Sequence, residues 1–399
     1  MVKIFRGVES RNIKVIESLD TNLIGEGTLS SRYLINIEGA NYFAKVFRPG
    51  ENSFGRSSRE MIKNEIAVLD YIYSNSASAP AQDLLRYRGY AEVGDVTTLL
   101  FEDQVTWRSG ATLEKRLNVQ SERIKTQEEV PTTEEVLNLK RSVEATNYQS
   151  YEVGDVIDIV RQIADQIGQY HSLRGDKCAG IIHMDITPKN IIIVDDIDTR
   201  KKKAIVIDFG IARENGEAID HLFNKSSLSD GRGGDYYLSQ KGIFNLVYSS
   251  IDSRQQSTAN PSLDTYNIVN VLCLMLTGRL IEYWETEAKK TCDPLFDDNL
   301  FDDDPEIITE MMNGEIADVI EKRCKSLNLA SEVKLTLINE LSRIITYGRK
   351  ANQNQQTTDQ KGTISTSSVR ADYSTCSELI EELDALGIKQ ILKEPITIS

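Results

Sequence analysis

Residues 182–191 read Ile-His-Met-Asp-Ile-Thr-Pro-Lys-Asn-Ile, and eighteen residues after Asn190 stands Asp208, in Ile207-Asp208-Phe209-Gly210. Carboxylates and an amide in polar turns are ordinary loop chemistry when taken alone; their order with the features upstream singles them out. Ile24-Gly25-Glu26-Gly27-Thr28-Leu29-Ser30 lies between two expected strands. Glycines there serve a turn first, and a phosphate-facing loop is the alternative. Lys45, in Ala44-Lys45-Val46, sits inside an apolar strand, where a charge needs a compensating partner unless that face is open to solvent. The helix expected after Ser57 and Ser58 offers Glu60 and Glu65. At about 100° per residue, Glu65 lies about 40° from Leu69, beside the apolar stripe, whereas Glu60 falls about 180° away. Glu65 is therefore the expected partner, and the pair would present a cationic head to phosphate oxygens.

The elements that must carry these residues fall into two groups. In the first hundred residues, short β-type runs alternate with turns, at Lys14 to Ile16, Arg32 to Ile37, Tyr42 to Phe47 and Thr97 to Phe101, which predicts an antiparallel sheet. One helix interrupts it, with Ile62, Ile66, Leu69, Ile72 and Tyr73 at helical spacing. From Val156 the period is helical again, and Val156, Val160, Ile163, Ile167 and Tyr170 form one stripe. The remainder reads as helical apart from a hairpin of Ile191 to Val194 and Ala204 to Ile207. Two segments read as insertions: 120–151, polar with a short helix at Glu134 to Arg141, and 348–375, rich in Asn, Gln, Ser and Thr, which suits a mobile loop. A last amphipathic helix is expected over Ser377 to Leu386.

Composition excludes several function classes. A formal net charge of −15 over 399 residues argues against nucleic-acid backbone binding, because such binders carry a basic face. The longest apolar stretch, Ile268 to Leu276, contains Asn270, so no membrane span is expected and the protein is read as soluble and cytoplasmic. Five scattered cysteines without Cys-x-x-Cys spacing suggest reduced thiols, and three dispersed histidines suggest no metal cluster. The acidic run Asp297 to Glu306 is most simply a solvated loop.

His-x-Asp-x-x-x-x-Asn followed by Asp-Phe-Gly, with a glycine loop and a strand lysine upstream in the same order, resembles the protein kinase family, as a divergent, eukaryotic-like serine/threonine member. The resemblance implies an α+β, bilobal fold with a small β-rich N-lobe and a larger, mainly helical C-lobe. Residues 1–19 would be an N-terminal extension, 20–104 the N-lobe, 105–393 the C-lobe with its two insertions, and 394–399 a tail. It implies ATP and Mg²⁺, with Ile24, Gly25, Gly27, Ala44, Phe101, Glu102, Gln104 and Ile192 around the nucleotide. Lys45 would hold the α and β phosphates and Glu65 would orient it. Asn190 and Asp208 would be the magnesium ligands, and Asp185 would accept the substrate hydroxyl's proton, with Lys189 nearby. The partner would be a protein substrate, the chain itself included. Leu263-Asp264-Thr265-Tyr266, followed by Leu272 to Gly278, resembles the buried central helix of the helical lobe. Asp264 would there brace the catalytic-loop backbone.

The chain also departs from the family pattern. Met184 stands where many regulated kinases carry arginine, which implies weaker dependence on loop phosphorylation. Thr187 and Lys189 leave serine, threonine and tyrosine acceptors open. Gln240 stands near the usual glutamate that pairs with an arginine such as Arg370, Ser30 replaces a third glycine, and Arg32 stands where an apolar residue covers adenine. Ser226, Ser227, Ser229, Tyr236 and Tyr237 are candidate autophosphorylation sites. A kinase-shaped scaffold and a small-molecule kinase are the alternatives to a protein kinase.

Overall fold

The structure is a computed structural model that describes residues 2–5, 12–13, 23–26, 30–37, 40–47, 55–75, 87–93, 96–102, 110–120, 133–173, 180–195, 201–217, 258–292, 305–325, 327, 329–350 and 375–386. It has an α+β architecture in which a β-rich N-terminal part precedes a mainly helical one. Seven antiparallel strands make the first sheet: β1 (Val2–Phe5), β2 (Asn12–Ile13), β3 (Leu23–Glu26), β4 (Ser30–Ile37), β5 (Ala40–Phe47), β6 (Tyr87–Val93) and β7 (Val96–Glu102). Their order is β2-β1-β6-β7-β5-β4-β3. Part of 1–19 thus joins the sheet through β1 on β6. The run expected over Lys14 to Ile16 lies outside the described residues.

Helix α1 (Gly55–Asn75) shares one apolar cluster with this sheet: Ile62, Val68, Leu69 and Ile72 bury with Phe43, Phe47, Leu99 and Phe101. Side chains alternate along a strand, so Phe43, Lys45 and Phe47 occupy one face of β5 and Ala44 and Val46 the other. Lys45 therefore faces the same side as the helix.

In the helical part, α4 (Val153–Ser172) buries its whole predicted stripe, Val156, Val160, Ile163, Ile167 and Tyr170. The helix α5 (Pro261–Thr277) is apolar all round because it runs through the core. Asn260 caps its start by accepting from the Ser262 amide, and Gly278, at φ 78°, closes its end. A Cβ on Gly278 would meet the Tyr148 ring at 2.8 Å, so glycine is required there for space as well as for backbone. The Arg323 guanidinium covers the last carbonyls, donating to Met275 O at 2.6 Å and Leu276 O at 3.1 Å. Around α5 stand α6 (Ile281–Cys292), α7 (Pro305–Cys324), α8 (Ser331–Lys350) and α9 (Cys376–Ala385). Helix α8 runs to Lys350, so the segment expected as a loop from 348 begins as helix. No helix among the described residues is long and apolar enough to cross a membrane.

Within 120–151 the short helix expected at Glu134 to Arg141 is present. Helix α2 (Leu113–Leu117) precedes the segment, α3 (Thr133–Ser142) lies within it, and the pair β9 (Val119–Gln120) and β10 (Glu144–Ala145) closes it. Leu139, Val143, Ala145 and Tyr151 belong to the main core. Lys140 is fully buried and donates to Glu282 on α6 at 2.5 Å, and the Tyr266 hydroxyl donates to the same carboxylate at 2.7 Å. Burial, with that carboxylate beside it, pushes the Tyr266 phenol well above its usual range. The segment reads as polar because its one deeply buried charge is paired.

Cys273, Cys324 and Cys376 are buried free thiols. Burial pushes Cys273 up to about 12 and raises the other two, so their thiolates are suppressed.

Removing one partner of the buried pair leaves the other charge uncompensated. We expect Glu282→Ala to cost about 3–5 kcal/mol in denaturant unfolding, and Lys140→Met combined with Glu282→Leu to cost less than either single change. Additive losses in the double variant would contradict this account of the segment.

Candidate active site

A hairpin brings the distant acidic and amide groups together. Strand β12 (Ile191–Asp195) pairs with β13 (Lys202–Val206), Ile191 opposite Val206, and the Ile207 amide donates to Asn190 O at 2.9 Å. Asn190 and Asp208, eighteen residues apart in sequence, thus meet at the hairpin's open end. The other edge of β12 pairs with β8 (Ala111–Thr112). The outer edge of β13 is paired by side chains: Gln162 and Gln166 of α4. Gln166 donates to Ala204 O at 2.8 Å and accepts from the Val206 amide at 3.1 Å. Gln162 donates to Lys202 O at 2.9 Å and accepts from the Ala204 amide at 3.0 Å. Two amides at i,i+4 therefore act as the missing strand and fix the hairpin to the helix.

The Asp185 loop is held from beneath. Asp264, fully buried on α5, accepts from the Met184 amide at 2.7 Å and the His183 amide at 2.7 Å, and lies 2.8 Å from His171 Nε2. These bonds hold Met184 at φ 64°, a left-handed conformation costly for any residue but glycine. Asn190 completes the loop by donating to Asp185 O at 3.0 Å. The Asp185 amide donates to His183 Nδ1 at 3.3 Å, which makes that nitrogen the unprotonated one. Burial lowers the His183 pKa, against the opposing pull of Asp264 and Asp208, and keeps the ring neutral. Phe209 is buried between Tyr170, at 5.2 Å, and His183, at 4.7 Å. Its anchoring leaves Asp208, at φ 74°, pointed at the sheet.

Across that gap stands Lys45. Its Nζ donates to both Glu65 carboxylate oxygens at 2.7 Å and to Asp208 Oδ1 at 3.1 Å. The side chains are 9%, 3% and 8% exposed, so solvent screens the cluster little. Helical geometry selects Glu65 over Glu60, and this is the contact found.

Other expected site residues scatter more. Phe101 is buried edge-on to Phe43 at 6.1 Å and close to Tyr87 at 5.6 Å. Ile192 is buried opposite Ile205, and Lys189 is half-buried in the turn Pro188–Asn190. The Glu102 side chain pairs with Arg88 at 2.9 Å. Ala44 requires a correction: it lies on the face of β5 opposite Lys45, and Phe43 takes the place on the lysine's face, two residues away. Ile24 and Gly25 lie in β3, whose register shifts between Leu23 and Gly25. Arg32 stands opposite Lys45 in the ladder. Gly27, Gln104, Ser226 to Gln240 and Arg370 lie outside the described residues.

Sequence reasoning missed Gln162, Gln166 and His171. The i,i+4 spacing of two glutamines beside a buried stripe was the available signal for the first two. His171 had none, since its partner is 93 positions away.

A family model described as fungal protein kinase matches residues 74–224. The match supports a protein kinase in divergent form, and it spans Asp185, Asn190 and Asp208 but not Lys45 or Glu65. No curated protein matches the chain.

If Asp264 sets the loop conformation, Asp264→Ala should speed hydrogen exchange at the His183 and Met184 amides at least tenfold, while amides of β5 stay unchanged. Unchanged protection at 183 and 184 would contradict that role.

Proposed function

We propose that the chain is an ATP- and magnesium-dependent protein kinase of bilobal form, with residues 20–104 and 105–393 as its lobes. It transfers the γ-phosphoryl group to a serine or threonine hydroxyl of a protein, itself included. The observation that carries this reading is the convergence of Lys45, Glu65 and Asp208 beside Asn190.

The donor set fits magnesium. Asn190 Oδ1 is buried and has no hydrogen-bond partner among the described residues, and the Asp208 carboxylate lies at the same end of the hairpin. Oxygen donors of this kind suit Mg²⁺, which when bound would neutralise charge on the phosphate oxygens. Glu65 holds the Lys45 ammonium in place with two hydrogen bonds, and the third proton, given to Asp208 in this structure, would pass to phosphate oxygens once that carboxylate turns to magnesium. Asp185 aligns the acceptor hydroxyl and takes its proton as the phosphorus–oxygen bond forms; ADP leaves with the electrons of the broken bond. Lys189 adds positive charge near the transferred group.

One observation favours a second reading, a kinase-shaped binding module. Phe43 lies two residues from Lys45 on the same strand face and packs against Phe101, narrowing the space beside the lysine. Nucleotide binding separates the two.

Incubation with labelled ATP and magnesium should label the protein itself. Asp185→Ala and Asp208→Ala should each lower incorporation about 10²–10⁴-fold, and Lys45→Met should abolish it at ordinary nucleotide concentrations. Undiminished incorporation in Lys45→Met would sink the phosphate assignment.

A further inference from the structure

The segment that follows the Asp208 loop is tied down by neutral groups. Asn64, the residue before Glu65 on α1, spends both hydrogens of its side-chain amide there: Nδ2 donates to Gly210 O at 3.2 Å and to Ala212 O at 2.9 Å. The Ala212 amide in turn closes a turn onto Phe209 O at 3.1 Å. One side chain thus fastens helix α1 to two carbonyls of the turn that follows Asp208.

Further along, β14 (Arg213–Glu214) pairs with β11 (Ile181–Ile182), directly before the Asp185 loop. The Gly216 amide donates to Ala259 O at 2.7 Å, and the Ala259 amide to Glu217 O at 2.8 Å. Between these bonds lies a separate apolar cluster of Ile182, Met184, Ile211, Ala259 and Leu263. Met184, where an arginine would read a phosphate, instead packs on Ile211 and the start of α5. The cation within the segment, Arg213, is engaged by Glu217 at 3.6 Å and by Ala212 O at 3.1 Å.

We propose that Asn64 is a positioning residue: with the Met184 cluster, it holds the Asp208 loop and α1 in register, so the site is assembled without a phosphate on the chain. The inference rests on the kinase reading above. An ordinary regulated arrangement uses a charged anchor that a phosphate completes. Here two amide hydrogen bonds, a short ladder and apolar packing do the same work, and none of them depends on modification. A loosened Asn64 contact acts on Asp208 first, because Gly210 is two residues beyond it. Its effect therefore falls on the magnesium requirement before it falls on acceptor binding.

The test uses the full chain, labelled ATP and dephosphorylated casein as acceptor. Phosphatase-treated protein, cleared of phosphatase, should keep its initial rate within about twofold. Asn64→Ala should raise the magnesium concentration for half-maximal rate about five- to tenfold, the factor lost with buried hydrogen bonds, with KM for casein unchanged. Asn64→Asp, which sets a carboxylate against two carbonyls, should be worse, and Asn64→Gln should recover part of the loss. Each variant's thermal midpoint is measured alongside, and Asn64→Gln supplies the comparison if Asn64→Ala folds poorly. An unchanged magnesium requirement in Asn64→Ala and Asn64→Asp overturns the positioning role. A tenfold or greater fall after phosphatase treatment overturns independence from phosphate. Wild-type chain that binds no nucleotide fails at the kinase reading, whereas one that binds and transfers but ignores Asn64 fails only here.

Discussion

An ammonium taken out of water must be met by carboxylates, and this requirement organises the molecule around Lys45. Its strand supplies the charge, helix α1 supplies Glu65, and the turn after β13 supplies Asp208. The strand and the helix follow one another in the chain, whereas Asp208 stands 163 residues beyond Lys45. Among the described residues, two carboxylates converge on this one ammonium. A buried pair of this kind adds little net stability, since desolvation offsets most of the Coulomb gain. Its value lies in fixing where the charges stand, which is what phosphoryl transfer requires of a protein.

Placing Asp208 against Lys45 depends on a second layer of unusual backbone. Both Met184 and Asp208 hold left-handed conformations that side chains disfavour. Each is compensated by a buried anchor nearby: the Asp264 carboxylate under residues 183 and 184, and the Phe209 ring between Tyr170 and His183. The hairpin that joins the two loops is secured by Gln162 and Gln166, so helix α4 sets its height. Helix α5, buried along almost its whole length, and helix α4, which buries one face, are therefore the frame on which both loops are hung.

Much of this was legible in the sequence, for identifiable reasons. Period-2 and period-3.6 patterns gave the strands β4, β5 and β7 and the stripes of α1 and α4, because each buries one face. The choice of Glu65 over Glu60 followed from 100° per residue alone. Ala44 went astray because adjacent strand residues face opposite ways, so a neighbour of Lys45 in sequence is not its neighbour in space. That part of 120–151 packs on the core was not legible, because a paired buried lysine looks, in sequence, like any solvated one. Asn64, Gln162 and Gln166 bond to backbone carbonyls and amides far along the chain, and backbone groups leave no trace in residue type.

The most direct measurement is a nucleotide titration of the full chain with and without magnesium, followed by calorimetry or fluorescence. Magnesium-dependent ATP binding that weakens at least tenfold in both Lys45→Met and Asp208→Ala is the predicted result. Binding indifferent to magnesium and to both substitutions, or no binding at all, would contradict the idea that these groups gather around a metal-bound triphosphate.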